Sequence, residues 1–228
     1  MFKLDAATTL TLSEKFLAYQ SKLEKLDDGI EKIDLLNLYA WELSRIKTQE
    51  AHKLAFQAQN LSNDQEYEFG MAEALRTIGQ CHWLMGNYAA SLTNCEKSID
   101  LFQKIDEKKG QADVLNLFGG IYSRLGDSLN AKLNFQKALK LRREIGDMLG
   151  CAKSMNSLGD TQMKEKDYNS ALETFEECLK IEHESQMYRG IILYNIAETN
   201  FHLENIEASE KYILECREIG KALDFDLM

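Results

Sequence analysis

The chain contains no proline among its 228 residues. Proline interrupts helices, because it lacks an amide donor and its ring clashes with the preceding turn. Its complete absence favours long, uninterrupted helices. The sequence also lacks any apolar run that approaches the roughly 18 residues of a membrane-spanning helix, so it predicts no transmembrane segment.

Cysteine is sparse and scattered, with no CxxC pair and no Cys/His cluster at the spacing of a zinc site. The five cysteines are Cys81, Cys95, Cys151, Cys178 and Cys216. Their odd number, together with the absence of a signal-peptide pattern near the first residue, favours reduced thiols in a cytoplasmic protein.

The sequence also lacks the motifs of catalysis and cofactor binding. It has no HExxH, no phosphate-binding loop, no GxSxG elbow and no GxGxxG that follows a strand. Its four histidines lie at no common offset: His52, His82, His183 and His202. The sequence therefore predicts a non-enzymatic chain with no cofactor and no metal site, although a catalytic domain could follow it in a longer protein.

The charge balance argues against two classes of partner. Acidic residues number 37 and basic residues 27, which gives a formal net charge of −10. This charge repels nucleic-acid phosphates and anionic lipid surfaces at long range. We therefore expect neither nucleic-acid binding nor membrane insertion.

What the sequence does contain is a regular ladder of glycines. One series has a period of forty residues: Gly70, Gly110, Gly150 and Gly190. A second series follows nine residues behind it: Gly79, Gly119 and Gly159. A fixed period of this size indicates a stacked array of repeats. We expect the second series to be points of close packing inside helical hairpins, and Gly110 and Gly150 to mark the junctions between hairpins.

The second helix of each central unit carries a small, a large and a small residue at offsets of four and three. These residues are Ser91/Cys95/Ser98, Ala131/Phe135/Ala138 and Ala171/Phe175/Cys178. Such spacings place the three residues on one helix face. The pattern resembles the tetratricopeptide repeat, in the forty-residue form found in bacterial signalling regulators such as the N-terminal regions of diguanylate and adenylate cyclases and of histidine kinases.

The resemblance implies an all-α fold, a right-handed α-solenoid of about five helical hairpins with an N-terminal capping helix. We expect residues 1–29 to form an N-terminal extension and the capping helix, whose apolar face holds Phe16, Leu17, Tyr19 and Leu23. Residues 30–228 form the repeat array. Its hairpins are expected at about 33–61, 72–105, 112–145, 152–183 and 190–219, with the start of a further helix at 220–228.

The junction at residues 143–150 has its own signature. We expect a helix to end at Ile145, Gly146 to follow it, and Asp147 to cap the next helix. The same Arg-Glu-Ile-Gly sequence recurs at 217–220. From this recurrence we expect the chain to be part of a longer protein. The alternative is a complete protein whose last helix caps the array or dimerises.

The resemblance also implies a binding surface, because the first helix of each hairpin lines the concave groove in this family. Basic and amide side chains there could bind an acidic segment by charge-assisted hydrogen bonds, and aromatic ones could anchor a docked helix. The predicted groove residues are Asn37, Arg45, Arg76, Gln80, Trp83, Asn116, Arg124, Asn156, Met163, Lys164, Tyr194 and Phe201. The alternative is that Trp83 and Phe201 pack against neighbouring helices and that Asn116 and Asn156 satisfy local backbone groups.

The sequence thus predicts a protein-interaction and regulatory module that binds a peptide or protein segment in the groove, with an acidic segment as one candidate. The resemblance implies that it controls a C-terminal effector in the same polypeptide, such as a nucleotide or diguanylate cyclase. Two alternatives stay open. One is a stand-alone scaffold or homo-oligomerisation module, which includes a homodimer, and the other is a regulator of the peptide-pheromone receptor type.

Overall fold

The computed structural model of the chain describes residues 12–181 and 185–222. Within these residues every regular element is a helix, so the predicted all-α class is confirmed. None of the described helices is both long enough and apolar enough to cross a membrane. The chain divides into two compact units, which meet in sequence between Ile105 and Asp106.

The first unit holds five of the described helices. They are α1 (Leu12–Leu23), α2 (Ile30–Leu43), α3 (Thr48–Asp64), α4 (Glu68–Leu84) and α5 (Tyr88–Lys104). Helices α2 and α3 pack as one hairpin, and α4 and α5 as the next. Helix α1 lies against α2, where the rings of Phe16 and Tyr19 contact the ring of Tyr39 at centroid distances of 5.5 and 5.3 Å. The prediction that Leu17 belongs to this apolar face is wrong, because Leu17 is 63% exposed.

The second unit holds six described helices. They are α6 (Lys108–Leu125), α7 (Ser128–Glu144), α8 (Met148–Lys164), α9 (Tyr168–Lys180), α10 (Gln186–His202) and α11 (Ile206–Ala222). They form the hairpins α6/α7, α8/α9 and α10/α11. One apolar cluster joins the last two hairpins and includes Met155, Phe175, Ile192 and Ile196. We call α2, α4, α6, α8 and α10 the first helices, since each begins a hairpin.

The junction after α7 has the predicted form. Helix α7 ends at Glu144, Ile145 is its C-cap residue, and Gly146 follows with a φ of 70°. Asp147 then accepts a hydrogen bond of 2.8 Å from the amide of Gly150 in the first turn of α8. A left-handed residue favours glycine because it has no Cβ to clash with the backbone.

Each central hairpin is closed by a glycine on its first helix that lies against a larger side chain on its second. A Cβ at Gly119 would lie 2.5 Å from Cε1 of Phe135, and a Cβ at Gly159 would lie 2.5 Å from Cε1 of Phe175. A Cβ at Gly79 would lie 2.7 Å from Sγ of Cys95. Real Cβ atoms do not approach this closely, so the predicted close packing at these three glycines is confirmed.

The small residues of the second helices do more than leave room, and this the sequence analysis missed. Ser91 Oγ donates to the carbonyl of Gly79, and Ser98 Oγ to the carbonyl of Ala72, both at 2.7 Å. The thiols of Cys178 and Cys216 make the same contact with Ala152 and Gly190, at 3.4 and 3.3 Å. These side chains pin the two helices of a hairpin together through backbone acceptors that are already used within the helix and have a second lone pair.

We predict that Gly119→Ala lowers the free energy of unfolding by about 1–3 kcal/mol, because the added methyl group overpacks the hairpin against Phe135. The double variant Gly119→Ala/Phe135→Ile reproduces the Ala197/Ile213 combination of the last hairpin and should recover part of the loss. Urea unfolding followed by circular dichroism measures both. A double variant less stable than the sum of its two single changes would show that the contact is not the cause.

Candidate functional site

The predicted groove residues are distributed over both units, which we describe separately. Five lie in the first unit: Asn37, Arg45, Arg76, Gln80 and Trp83. Seven lie in the second: Asn116, Arg124, Asn156, Met163, Lys164, Tyr194 and Phe201. All twelve lie on first helices or directly after one.

Three of the five residues in the first unit are buried. Asn37 donates through Nδ2 to the carbonyl of Gly70 at 2.9 Å, so it joins α2 to the start of α4. The Arg76 guanidinium lies 4.2 Å from the ring centroid of Trp41 and 2.6 Å from Glu73 Oε2. Gln80 is also buried. These side chains serve the packing of the unit and offer no open surface to a ligand.

Arg45 is exposed and Trp83 half-buried at the ends of their helices. Beside Trp83, the ring of His82 packs edge-on against the ring of His52 at a centroid distance of 5.1 Å. Burial, and to a lesser extent the neighbouring His52, lowers the pKa of His82. The ring contact with His52 gives His82 a packing role. His183 lies outside the described residues.

In the second unit, predicted groove residues bond from one first helix to the next. Asn116 Oδ1 on α6 accepts from Ser154 Oγ on α8 at 3.1 Å. Asn156 Oδ1 on α8 accepts from Asn195 Nδ2 on α10 at 2.8 Å. Both asparagines are therefore half-buried contacts between helices, although not with backbone groups as the alternative had it.

A second row of side-chain hydrogen bonds joins the same helices nearer to their C-terminal ends. Lys164 Nζ donates to Ser123 Oγ on α6 at 3.0 Å, and Thr199 Oγ1 donates to Met163 Sδ at 3.1 Å. The partners of these rows, among them Ser154, Asn195 and Thr199, were missed by the sequence analysis. Their only signal was a small or polar residue at a position with no assigned role.

Asp160 is the other polar residue of this surface that the sequence analysis missed. Its carboxylate accepts from Asn156 Nδ2 and from Asn195 Nδ2, both at 3.3 Å. Burial raises its pKa to about 6, Lys164 opposes the rise, and Glu198 on α10 adds to it. Two long hydrogen bonds from neutral amides do not compensate the loss of hydration.

Beneath this surface lies a buried cation, Arg142 on α7. Its guanidinium reaches Asp113 Oδ1 on α6 at 2.7 Å and Ser154 Oγ on α8 at 2.9 Å. It also donates to the carbonyl of Gly150 at 2.5 Å. One side chain thus ties α6, α7 and α8 together and fixes the place of Ser154, the partner of Asn116.

Arg124 and Lys164 are the predicted basic residues that stay exposed in the second unit. No carboxylate of the described residues lies within ion-pair distance of either. By contrast, Arg143 and Lys132 on α7 each form an ion pair of 2.6 Å, with Glu177 and Glu165. The two exposed cations lie at the same level of consecutive first helices, since Lys164 bonds to Ser123, the neighbour of Arg124.

The thiols give no activated nucleophile in the described part of the chain. Burial raises the pKa of Cys95 and of Cys178 to about 12, and that of Cys81 to about 11. Such thiols are protonated at neutral pH, and the thiolate is the reactive form. Nor do the described residues contain a group of three or more His, Cys, Asp or Glu side chains that could hold a metal ion.

We predict that Asp160→Asn raises the free energy of unfolding, relative to the wild type, more at pH 8 than at pH 4. The folded pKa of about 6 lies above the ordinary value of 3.8, so protonation favours the fold at low pH. That stability is lost as the pH rises through 6, and the asparagine variant does not lose it. The pH-dependent difference is at most about 3 kcal/mol.

Urea unfolding at both pH values measures the difference, and a carbon-13 titration of the Asp160 carboxyl gives its pKa directly. Asp100→Asn, on an exposed position of α5, is the matched control and should show no such dependence. A carboxyl that titrates near 4 would contradict the assignment.

Comparison with known proteins places these hairpins in a wider group. The tetratricopeptide-repeat family model matches residues 70–144, and a second model of the same repeat matches residues 152–183. No curated protein matched the sequence.

Several solved structures share the fold at low identity. BtubC (BKLC) from P. vanneervenii superimposes with a TM-score of 0.77 at 13% identity, over 94% of this chain and 93% of that one. A Rap protein complexed with Competence and Sporulation Factor has a TM-score of 0.72 at 20% identity, over 93% of this chain and 72% of that one. The Rap conjugation gene regulator of plasmid pLS20, in complex with the Phr* peptide, has a TM-score of 0.69 at 16% identity, over 98% of this chain and 60% of that one.

The family matches cover the same hairpins in which the structure shows the glycine contacts and the small-residue hydrogen bonds. Residues 70–144 and 152–183 of this chain are therefore tetratricopeptide repeats.

Proposed function

We propose that this chain is a protein-interaction module and that its second unit binds an acidic peptide or protein segment along α6 and α8. The observation that carries the proposal is the pair of exposed cations, Arg124 and Lys164, which have no carboxylate partner among the described residues. Guanidinium and ammonium groups so placed bind carboxylates by charge-assisted hydrogen bonds. The pair is a local basic feature of a chain whose net charge is −10.

Amide groups next to the cations supply donors for a peptide backbone. Asn116 uses its oxygen for Ser154, and no described residue accepts a hydrogen bond from its Nδ2 group. Asn156 is half-buried on the neighbouring helix, and its Nδ2 makes only the 3.3 Å contact with Asp160. A segment laid across α6 and α8 would present carbonyl oxygens to these amides and its acidic side chains to Arg124 and Lys164.

The solved structures support a protein or peptide ligand and do not bear on its charge. Two Rap proteins with this fold were solved in complex with Competence and Sporulation Factor and with the Phr* peptide. At 20% identity or less the likeness shows the fold alone, so the ligand of this chain is argued from its own residues. A cytoplasmic location, a regulator of the peptide-pheromone receptor type and a C-terminal effector such as a cyclase stay predictions. The gene sequence beyond Met228 tests the last of these.

The peptide proposal predicts that Arg124→Glu/Lys164→Glu weakens ligand binding at least tenfold. The ligand is obtained by selecting a randomised phage-displayed peptide library on the immobilised wild-type chain, and we expect acidic sequences to be enriched. The affinity of a selected, labelled peptide is then measured by fluorescence anisotropy at low and high salt. Binding should weaken with salt, because exposed charges are screened.

Lys137→Glu/Lys140→Glu is the matched control, since it makes the same change of charge at exposed positions of α7. It should bind the peptide like the wild type. Enrichment of basic or uncharged peptides, or an equal loss of affinity in both double variants, would contradict the proposal.

A further inference from the structure

Helix α10, the first helix of the α10/α11 hairpin, exposes residues whose counterparts on α8 are covered. The Cys178–Ala152 and Cys216–Gly190 hydrogen bonds set the correspondence between the last two hairpins at 38 residues. On α8, Asn156 and Met163 are hydrogen-bonded by side chains of α10. Their counterparts on α10 are Tyr194 and Phe201, which are 50% and 62% exposed. Two aromatic side chains therefore lie where a neighbouring helix would pack.

The second helix of the same hairpin continues this surface. On α9, Leu172 and Leu179 pack against the cluster that contains Ile192 and Ile196 of α10. Their counterparts on α11 are Glu210 and Arg217, both exposed. Between them lie Ile213 and Leu214, which are 42% and 58% exposed. We call the surface formed by Tyr194, Phe201, Glu210, Ile213, Leu214 and Arg217 the end face.

We propose that the end face pairs with the end face of a second copy of the chain in a two-fold dimer. The two leucines of α9 are replaced on α11 by Glu210 and Arg217, two residues of opposite charge. The face is complementary to itself. When two copies of α11 meet antiparallel, Glu210 of one faces Arg217 of the other, and Ile213 faces Leu214.

A two-fold axis makes each of these contacts twice, as in other symmetric dimers. The composition of the face also fits an interface, with two aromatic side chains and two aliphatic ones framed by charges. If each of the four exposed apolar side chains removes about 100 Å² in each copy, the apolar burial is about 800 Å² in total, below the roughly 1,200 Å² at which stable specific interfaces begin. We therefore expect a reversible dimer.

The proposal is separate from the peptide proposal, since it uses none of the residues Arg124, Lys164, Asn116 and Asn156. It assigns Tyr194 and Phe201, which the sequence analysis placed in the groove, to a contact between copies. Failure of either proposal leaves the other standing.

Sedimentation velocity of the whole chain, over a concentration series up to about 200 µM, tests the dimer by mass action. We expect the wild type to approach twice the 26.1 kDa of one chain. Tyr194→Glu/Phe201→Glu should remain at the mass of one chain throughout. Phe56→Glu, at a similarly exposed aromatic position on α3 of the first unit, is the matched control and should dimerise like the wild type.

The charges give a sharper test of the register. Glu210→Arg and Arg217→Glu should each weaken dimerisation at least tenfold, because each sets like charges against one another. The swapped variant Glu210→Arg/Arg217→Glu should restore it, since the pairs are merely exchanged. A monomeric wild type, or a dimer that survives Tyr194→Glu/Phe201→Glu, would overturn the proposal, and so would failure of the swap to restore dimerisation. Circular dichroism checks that every variant keeps its helices.

Discussion

The contact between a glycine on the first helix and a large side chain on the second governs each central hairpin. At Gly119 and Gly159 the approach is so close that a single methyl group would collide with a phenyl ring. The two helices of the hairpin are thereby held at one distance and one register. Because side chains in a core are close-packed, the remaining contacts of the hairpin must adopt the same geometry. The hydrogen bonds from Ser91, Ser98 and Cys178 to first-helix carbonyls follow from it, since they need the backbones to be near.

Uniform hairpins place equivalent residues of successive first helices beside one another. This is why polar rows form in the second unit, where Ser154, Asn195 and Thr199 reach the preceding first helix. Arg142 supports these rows from below by joining three helices through Asp113, Gly150 and Ser154. The same rows determine what is left for a ligand. Side chains that bond between helices are partly withdrawn, and Arg124 and Lys164 remain open.

The surface of the second unit therefore combines two opposite electrostatic situations. Asp160 is a carboxylate taken out of water with only neutral donors, so burial raises its pKa to about 6. Arg124 and Lys164 are exposed cations that form no ion pair with a described carboxylate, although Lys164 is near enough to Asp160 to lower the pKa of that group. The fold tolerates both arrangements. The buried carboxylate costs only part of the free energy of unfolding, and the exposed cations cost little. Under the two proposals, a ligand with carboxylates would bind the exposed cations, and a second copy would pack on the aromatic and aliphatic side chains of the end face.

Local sequence by itself determined the helical class, the close-packed glycines and the junction around Gly146. Each depends on residues near in sequence or on a strict period, and the absence of proline removed the competing signals. The tertiary structure alone decided which groove positions are open. Asn37, Arg76 and Gln80 are polar side chains on first helices, and only the packing around them shows that they are buried. Asn195, Asp160 and Arg142 carry no motif, because their roles come from partners that lie on other helices. A period in the sequence marks equivalent positions, whereas exposure depends on what the neighbouring helix brings to each of them.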